Sequence, residues 1–182
     1  MKRRLVIASV FTLILVSLRA SAQSVTFYGG YLNPGKLDLS TVRNDLNLRG
    51  TGIYGIRFEA DFRKILGFEQ DFAFSPKLFD SALFPESNDL KGFLYSSNLV
   101  VSAPISHFVP YVTAGVGFLK PWGTGFKPFN AKLATNYGGG IKLARLIGPV
   151  GLRFDVRGYS VPHIAQQTLH LLEVSGGIMF SR

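Results

Sequence analysis

Apolar and polar side chains alternate along this chain in eight segments separated by clusters of turn-forming residues. The pattern is plainest in "VGLRFDVRGY", residues 150–159. There Arg153, Asp155 and Arg157 recur at every second position, and Val150, Leu152, Phe154 and Val156 fill the gaps. A period of two predicts a β-strand, whose successive side chains point to opposite faces. Residues 51–62 repeat it, with Gly52, Tyr54, Ile56, Phe58, Ala60 and Phe62 on one face and Thr51, Arg57, Glu59 and Asp61 on the other. Residues 67–75 set Phe68, Phe72 and Phe74 against Glu69, Asp71, Ala73 and Ser75, with Gln70 misplaced on the apolar face. Segments at 25–32, 92–101, 108–118, 132–144 and 168–180 complete a series of eight predicted strands. No segment carries the apolar repeat of a helix.

The seven connections alternate in length. Residues 33–50, 76–91, 119–131 and 160–167 supply 18, 16, 13 and 8 residues, whereas 63–66, 102–107 and 145–149 supply 4, 6 and 5. Long loops at one end and short turns at the other describe a membrane barrel with its loops outside and its turns in the periplasm. Strands of about 9–11 tilted residues cross the hydrocarbon. The predicted fold is all-β: an eight-stranded antiparallel transmembrane up-and-down β-barrel.

A soluble barrel or sandwich would alternate too, with its phenylalanines inside and its charges in water. The glycines argue for the opposite arrangement. Gly55, Gly67, Gly115, Gly117, Gly138, Gly140, Gly151 and Gly177 all fall on the polar face. Glycine weakens a strand that faces water, but it makes room in a lumen that barely holds its own side chains. The charged face also mixes both signs: Arg57, Lys142, Arg153 and Arg157 with Glu59, Asp61, Glu69, Asp71, Asp155 and Glu173. These residues are expected to form a structural charge network in the barrel interior, because unpaired charge there is costly. Aromatics near the strand ends suit the girdles at the two lipid interfaces. A one-residue slip of 150–159 would turn Arg153 and Arg157 into lipid at roughly 2–4 kcal/mol each near the midplane. That rivals a domain's whole stability of about 5–15 kcal/mol.

The first residues supply a destination. Lys2, Arg3 and Arg4 precede an apolar run over 5–18, and Ala20-Ser21-Ala22 gives a small-x-small cleavage pattern. Residues 1–22 are expected to be a signal peptide, leaving 23–182 as one barrel domain. A spanning helix would need roughly 20 apolar residues. Removing Lys2, Arg3, Arg4 and Arg19 leaves 16 basic against 11 acidic residues, so the formal charge falls from +9 to +5. Basic composition is therefore no nucleic-acid footprint. The chain has no cysteine, which excludes disulfides and thiolate metal sites.

The segments "VPYVTAGVGF" (109–118), "GGGIKLA" (138–144), "GLRFDVRGY" (151–159) and "EVSGGIMF" (173–180) carry a resemblance. They resemble the OmpA/OmpX-type small outer-membrane β-barrels of Gram-negative bacteria, and the likeness covers nearly all of the mature chain. It implies an outer-membrane location and contact with outer-membrane lipid and lipopolysaccharide. It also implies handling by the barrel-assembly machinery, for which Phe180 looks like the terminal aromatic signal, although Ser181 and Arg182 follow it. A peptidoglycan-binding domain of the OmpA kind is not expected after the eighth strand.

Candidate chemistry is sparse. Some barrels of this type modify lipid A with a Ser–His–acid arrangement on the lipid-facing surface, which needs the base within hydrogen-bond reach of the nucleophile. The histidines are His107, His163 and His170, no His-x-Ser occurs, and His170 alternates onto the face opposite Glu173. No enzyme is expected, though a cross-strand site stays open. "GVGF" (115–118) and "GGG" (138–140) lack the following helix that a phosphate loop requires, so no cofactor is expected. "LKPWGTGFKPF" (119–129) interleaves Trp122 and Phe126 with Lys120 and Lys127. It reads as an aromatic girdle with snorkelling lysines or as a contact with lipopolysaccharide phosphates. The expected whole is a monomer with a plugged interior, four external loops and a structural or surface-interaction role. The alternatives are a narrow channel for small or hydrophobic molecules and a lipid A-modifying enzyme.

Overall fold

The structure, a computed structural model, describes residues 22–34, 50–62, 65–77, 91–123, 131–164 and 167–182. The strands are β1 (Ala22–Pro34), β2 (Thr51–Phe62), β3 (Leu66–Ser75), β4 (Lys91–Ser102), β5 (Phe108–Trp122), β6 (Lys132–Ile147), β7 (Val150–Ile164) and β8 (Gln167–Ser181). Each pairs antiparallel with the next, and β1 closes against β8. Closure leaves no sheet edge, which is the condition for crossing lipid with strands. The expected signal segment, apart from Ala22, lies outside the described residues.

Polarity across the wall is inverted relative to a soluble protein. Phe27, Tyr54, Phe58, Val112, Phe154 and Val174 are exposed, while Arg57, Glu69, Arg153, Arg157 and Glu173 are fully buried. Such an outer surface is stable against hydrocarbon and unstable against water.

Several strands run past their predicted ends. β5 continues to Trp122, and β7 and β8 together absorb most of the expected loop at 160–167. Only residues 165 and 166 separate those two strands, and they lie outside the described residues. The loop predicted there is thus mostly a strand hairpin. The physical reason is a reversal of phase. On β7, Phe154 and Val156 point outward and Arg157 inward, but beyond them Tyr159 and Val161 are the buried residues and Ser160 faces out. On β8, Leu169 and Leu171 are buried while Thr168 and His170 face out. Leu119 with Lys120 on β5, and Ala134 with Thr135 on β6, make the same switch. Alternation continues unbroken, but the greasy side changes from outside to inside. At its loop end the barrel therefore encloses an apolar cluster containing Leu32, Ile53, Leu94, Leu119, Val161 and Leu169.

The inward glycines sit where strands crowd. A β-carbon on Gly117 would collide with the Tyr95 carbonyl oxygen of β4, and one on Gly140 with the Phe154 carbonyl oxygen of β7. Outward glycines are covered instead by neighbouring rings. The Tyr137 ring lies 3.1 Å from where a Gly158 β-carbon would be, and the Tyr54 ring 3.4 Å from that of Gly29. Rings laid over glycine in this way pin strand register. At the opposite end the connections are tight, with Ser106 and Gly148 in left-handed conformation at φ 59° and 60°.

Candidate functional site

Three arginines occupy the middle of the lumen. Arg57 on β2 donates from Nη2 to Glu173 Oε1 at 2.5 Å and from Nε to Asp71 Oδ2 at 3.1 Å, and its Nη1 lies 2.7 Å from Asp155 Oδ2. Arg153 on β7 donates from Nη1 to Glu59 Oε2 at 2.9 Å, from Nη2 to Glu69 Oε2 at 2.6 Å and from Nε to Asp155 Oδ2 at 3.1 Å. Arg157 donates from Nη1 to Glu69 Oε1 at 2.7 Å and from Nη2 to Asp155 Oδ1 at 2.8 Å, with Asp71 Oδ2 at 3.6 Å. Lys142 on β6 pairs with Glu59. Arginine suits this position because its planar fork reaches several carboxylates and stays charged.

Nine of the ten expected interior charges meet in this network. The tenth, Asp61, does not join it. It is only partly buried, near the short-turn end, and its buried Oδ1 finds no hydrogen-bond partner among the described residues.

Four cations thus face five carboxylates, and three tyrosines that sequence reasoning overlooked supply further donors. Tyr28 OH donates to Asp71 Oδ1 at 2.9 Å, Tyr159 OH donates to Glu173 Oε2 at 2.7 Å, and Tyr111 OH donates to Asp155. Ser175 Oγ donates to Glu173 Oε1 at 2.6 Å, and Asn98 Nδ2 to Glu69 Oε1 at 2.8 Å. The Arg57 guanidinium also lies 3.7 Å from the centroid of the Tyr28 ring, close enough for a cation–π attraction. A signal was present for Tyr159, which has the parity of Arg153, Asp155 and Arg157, and a tyrosine there buries its ring while its hydroxyl bonds. Tyr28 lies on a strand with no charge, and Tyr111 on the face of β5 opposite Lys120. Among the described residues no group of three histidine or carboxylate side chains is arranged to hold a metal ion. The carboxylates are taken up by guanidinium, ammonium and hydroxyl donors.

The outward face holds two polar features. Gln70, anomalous in the strand pattern, is buried there, and its Oε1 accepts from Tyr95 OH at 2.6 Å and Ser97 Oγ at 2.9 Å. A small closed cluster therefore satisfies this carbonyl within an apolar surface. Nearer the loop end, Ser160 Oγ lies 3.1 Å from His170 Nδ1 across the β7–β8 pair. The missing His-x-Ser spacing is thus replaced by a cross-strand pair. Glu173 points inward, so the acid nearest along β8 is turned away from the imidazole.

Lys120 and Trp122, expected in a loop, lie on β5 with their side chains exposed. The correction follows from the phase reversal: Leu119 packs inward, so the pattern seemed to stop at Phe118. Trp122 packs at 5.8 Å against Phe74. Phe126 and Lys127 lie outside the described residues. Phe180 faces outward on β8, opposite Val25 of β1, and meets Phe27 edge-on at 6.3 Å.

No family model and no curated protein matches this chain in sequence. Solved structures do match it in shape. Neisserial surface protein A superposes with a TM-score of 0.68 at 14% identity, covering 88% of this chain and 98% of that one. The outer membrane protein OprG from Pseudomonas aeruginosa gives 0.61 at 12% identity, covering 90% and 96%. The N-terminal β-barrel domain of Pseudomonas aeruginosa OprF gives 0.59 at 11%, covering 88% and 98%. At these identities the likeness is one of architecture. The chain has the fold of the small eight-stranded outer-membrane barrels that its sequence resembles.

Proposed function

We propose that the chain is a non-conducting outer-membrane barrel with a structural and surface-interaction role, stiffening the envelope and presenting its loop end outside the cell. The observation that carries this reading is the filled lumen. Arg57, Arg153, Arg157, Glu69 and Glu173 retain no solvent exposure, and an apolar cluster lies over them at the loop end. An eight-stranded barrel has little interior beyond its side chains, so water and ions have no continuous path. In this reading residues 1–22 are removed on export, the barrel-assembly machinery engages the β8 terminus at Phe180, and the product is a monomer. Lys120 and Trp122, with Lys127 and Phe126, meet lipopolysaccharide at the outer interface.

Planar-bilayer recording tests the central point. The purified barrel, verified by a mobility shift between unboiled and boiled samples, is expected to give no sustained single-channel steps. Reproducible unitary conductance would reject the sealed interior and favour the narrow-channel alternative.

The Ser160–His170 pair is the observation that favours a second reading, cleavage of an acyl ester at the lipid surface. Against it, no carboxylate among the described residues bonds to the imidazole, whereas a Ser–His site uses one to hold the imidazole's tautomer and geometry. Lipid A isolated from cells expressing the chain is therefore expected to keep its mass. A loss of one acyl chain that Ser160→Ala abolishes would reverse that judgement.

A further inference from the structure

The chain's eleven acids are unevenly placed. Glu59, Asp61, Glu69, Asp71, Asp155 and Glu173 lie on the strands, and Asp38, Asp45, Asp80, Glu86 and Asp89 lie in the long connections. None falls in the short stretches 63–66, 102–107 and 145–149 at the other end, which carry Arg63, Lys64, His107 and, on the end of β6, Arg145 instead. Arg182 joins them at the same end. Each of these stretches also bears a bare isoleucine: Ile65, Ile105 and, as the last residue of β6, Ile147 are 57%, 63% and 80% exposed.

Backbone hydrogen bonds tie the turns to the neighbouring strands as one rim. Ser102 N donates to Ile65 O at 2.7 Å, Ala144 N to His107 O at 2.8 Å, and Ser181 N to Pro149 O at 2.9 Å. Arg145 Nη2 lies 3.5 Å from the Arg182 carbonyl oxygen. Two basic residues thus share one corner of the rim.

We propose that this rim docks onto anionic phospholipid headgroups of the leaflet at the short-turn end, with Arg145 and Arg182 on phosphates and the isoleucines at the base of the headgroups. The inference rests on the membrane-spanning reading above. Two features favour lipid over an acidic soluble protein as the occupant. The turns are too short to carry their side chains far from the bilayer, and the isoleucines continue the apolar band of the barrel wall. Basic residues near an anionic surface each favour contact by about fivefold, less at high salt.

Native mass spectrometry of the detergent-purified barrel, equilibrated with equal phosphatidylglycerol and phosphatidylethanolamine, reads the preference directly. Phosphatidylglycerol is expected to be retained over phosphatidylethanolamine by at least about threefold. The double variant Arg145→Gln/Arg182→Gln should bring the ratio near one, while Lys91→Gln at the loop end should leave it unchanged. Parity in the unaltered chain, an unchanged ratio in the double variant, or retention of an acidic periplasmic protein in place of lipid would overturn the proposal. The unboiled-versus-boiled gel shift separates the two levels. Its loss means that no membrane barrel formed, whereas an intact shift with lipid parity defeats the docking inference alone.

Discussion

Replacing Arg57 with leucine is expected to destabilise the barrel by about 3–5 kcal/mol, the usual cost of removing one partner from a buried ion pair. The substitution removes the cation paired with Glu173 on β8, one of two beside Asp71 on β3 and one of three beside Asp155 on β7. Glu173 then sits in a medium that cannot hydrate it, and the lumen already holds more carboxylates than cations. Arg57→Lys keeps the charge but loses the fork that spans three strands, so an intermediate loss is expected. The midpoint of urea unfolding in lipid vesicles, followed by the gel shift, measures both variants. With a total stability of about 5–15 kcal/mol, Arg57→Leu should leave little folded barrel at moderate urea. A change below about 1 kcal/mol would mean that water enters the lumen and that the network is dispensable.

The second large effect is steric. Gly117→Leu should abolish folding, because the first added carbon already strikes the Tyr95 carbonyl oxygen on the adjoining strand. A backbone oxygen cannot swing aside as a side chain can, so relief requires opening the β4–β5 ladder. Gly158→Ala makes the matched control. Its new methyl group meets first the Tyr137 ring, at 3.1 Å, which can tilt into surrounding lipid. Heat-modifiable barrel is expected from Gly158→Ala and not from Gly117→Leu. Equal yields from the two would show that crowding inside the wall does not select glycine.

Much of this architecture was legible from alternation alone, because a closed barrel makes every strand declare its two faces. Arg153, Asp155 and Arg157 could not be placed on the lipid side at any reasonable cost, so their strand had one register. The inward glycines followed from the same parity. What alternation could not show was which residues on different strands become neighbours. Ser160 and His170 are ten residues apart, and only the β7–β8 register brings them opposite each other. Gln70 looked like an error because its satisfying partners, Tyr95 and Ser97, come from β4. The strand ends at Lys120 and Trp122 were missed for a different reason. A strand of one polarity ends at Phe118, whereas the barrel changes polarity where its wall meets the loop end. The hydroxyls of Tyr28 and Tyr111 were beyond alternation for the same reason as Gln70, because their carboxylate partners, Asp71 and Asp155, come from other strands.

The pairs that hold the lumen are distant in the chain. Arg57 on β2 meets Glu173 on β8, and Arg153 on β7 meets Glu59 on β2. Such partners come together only once the first strand has zipped to the last, and contacts of so long a range form late. An unclosed sheet therefore bares a row of hydrated ions along its concave side, and a half-built curve of this kind cannot slide into oil. Entry into the bilayer and the final strand pairing are thus fused into a single event, with no stable halfway stage inside the membrane.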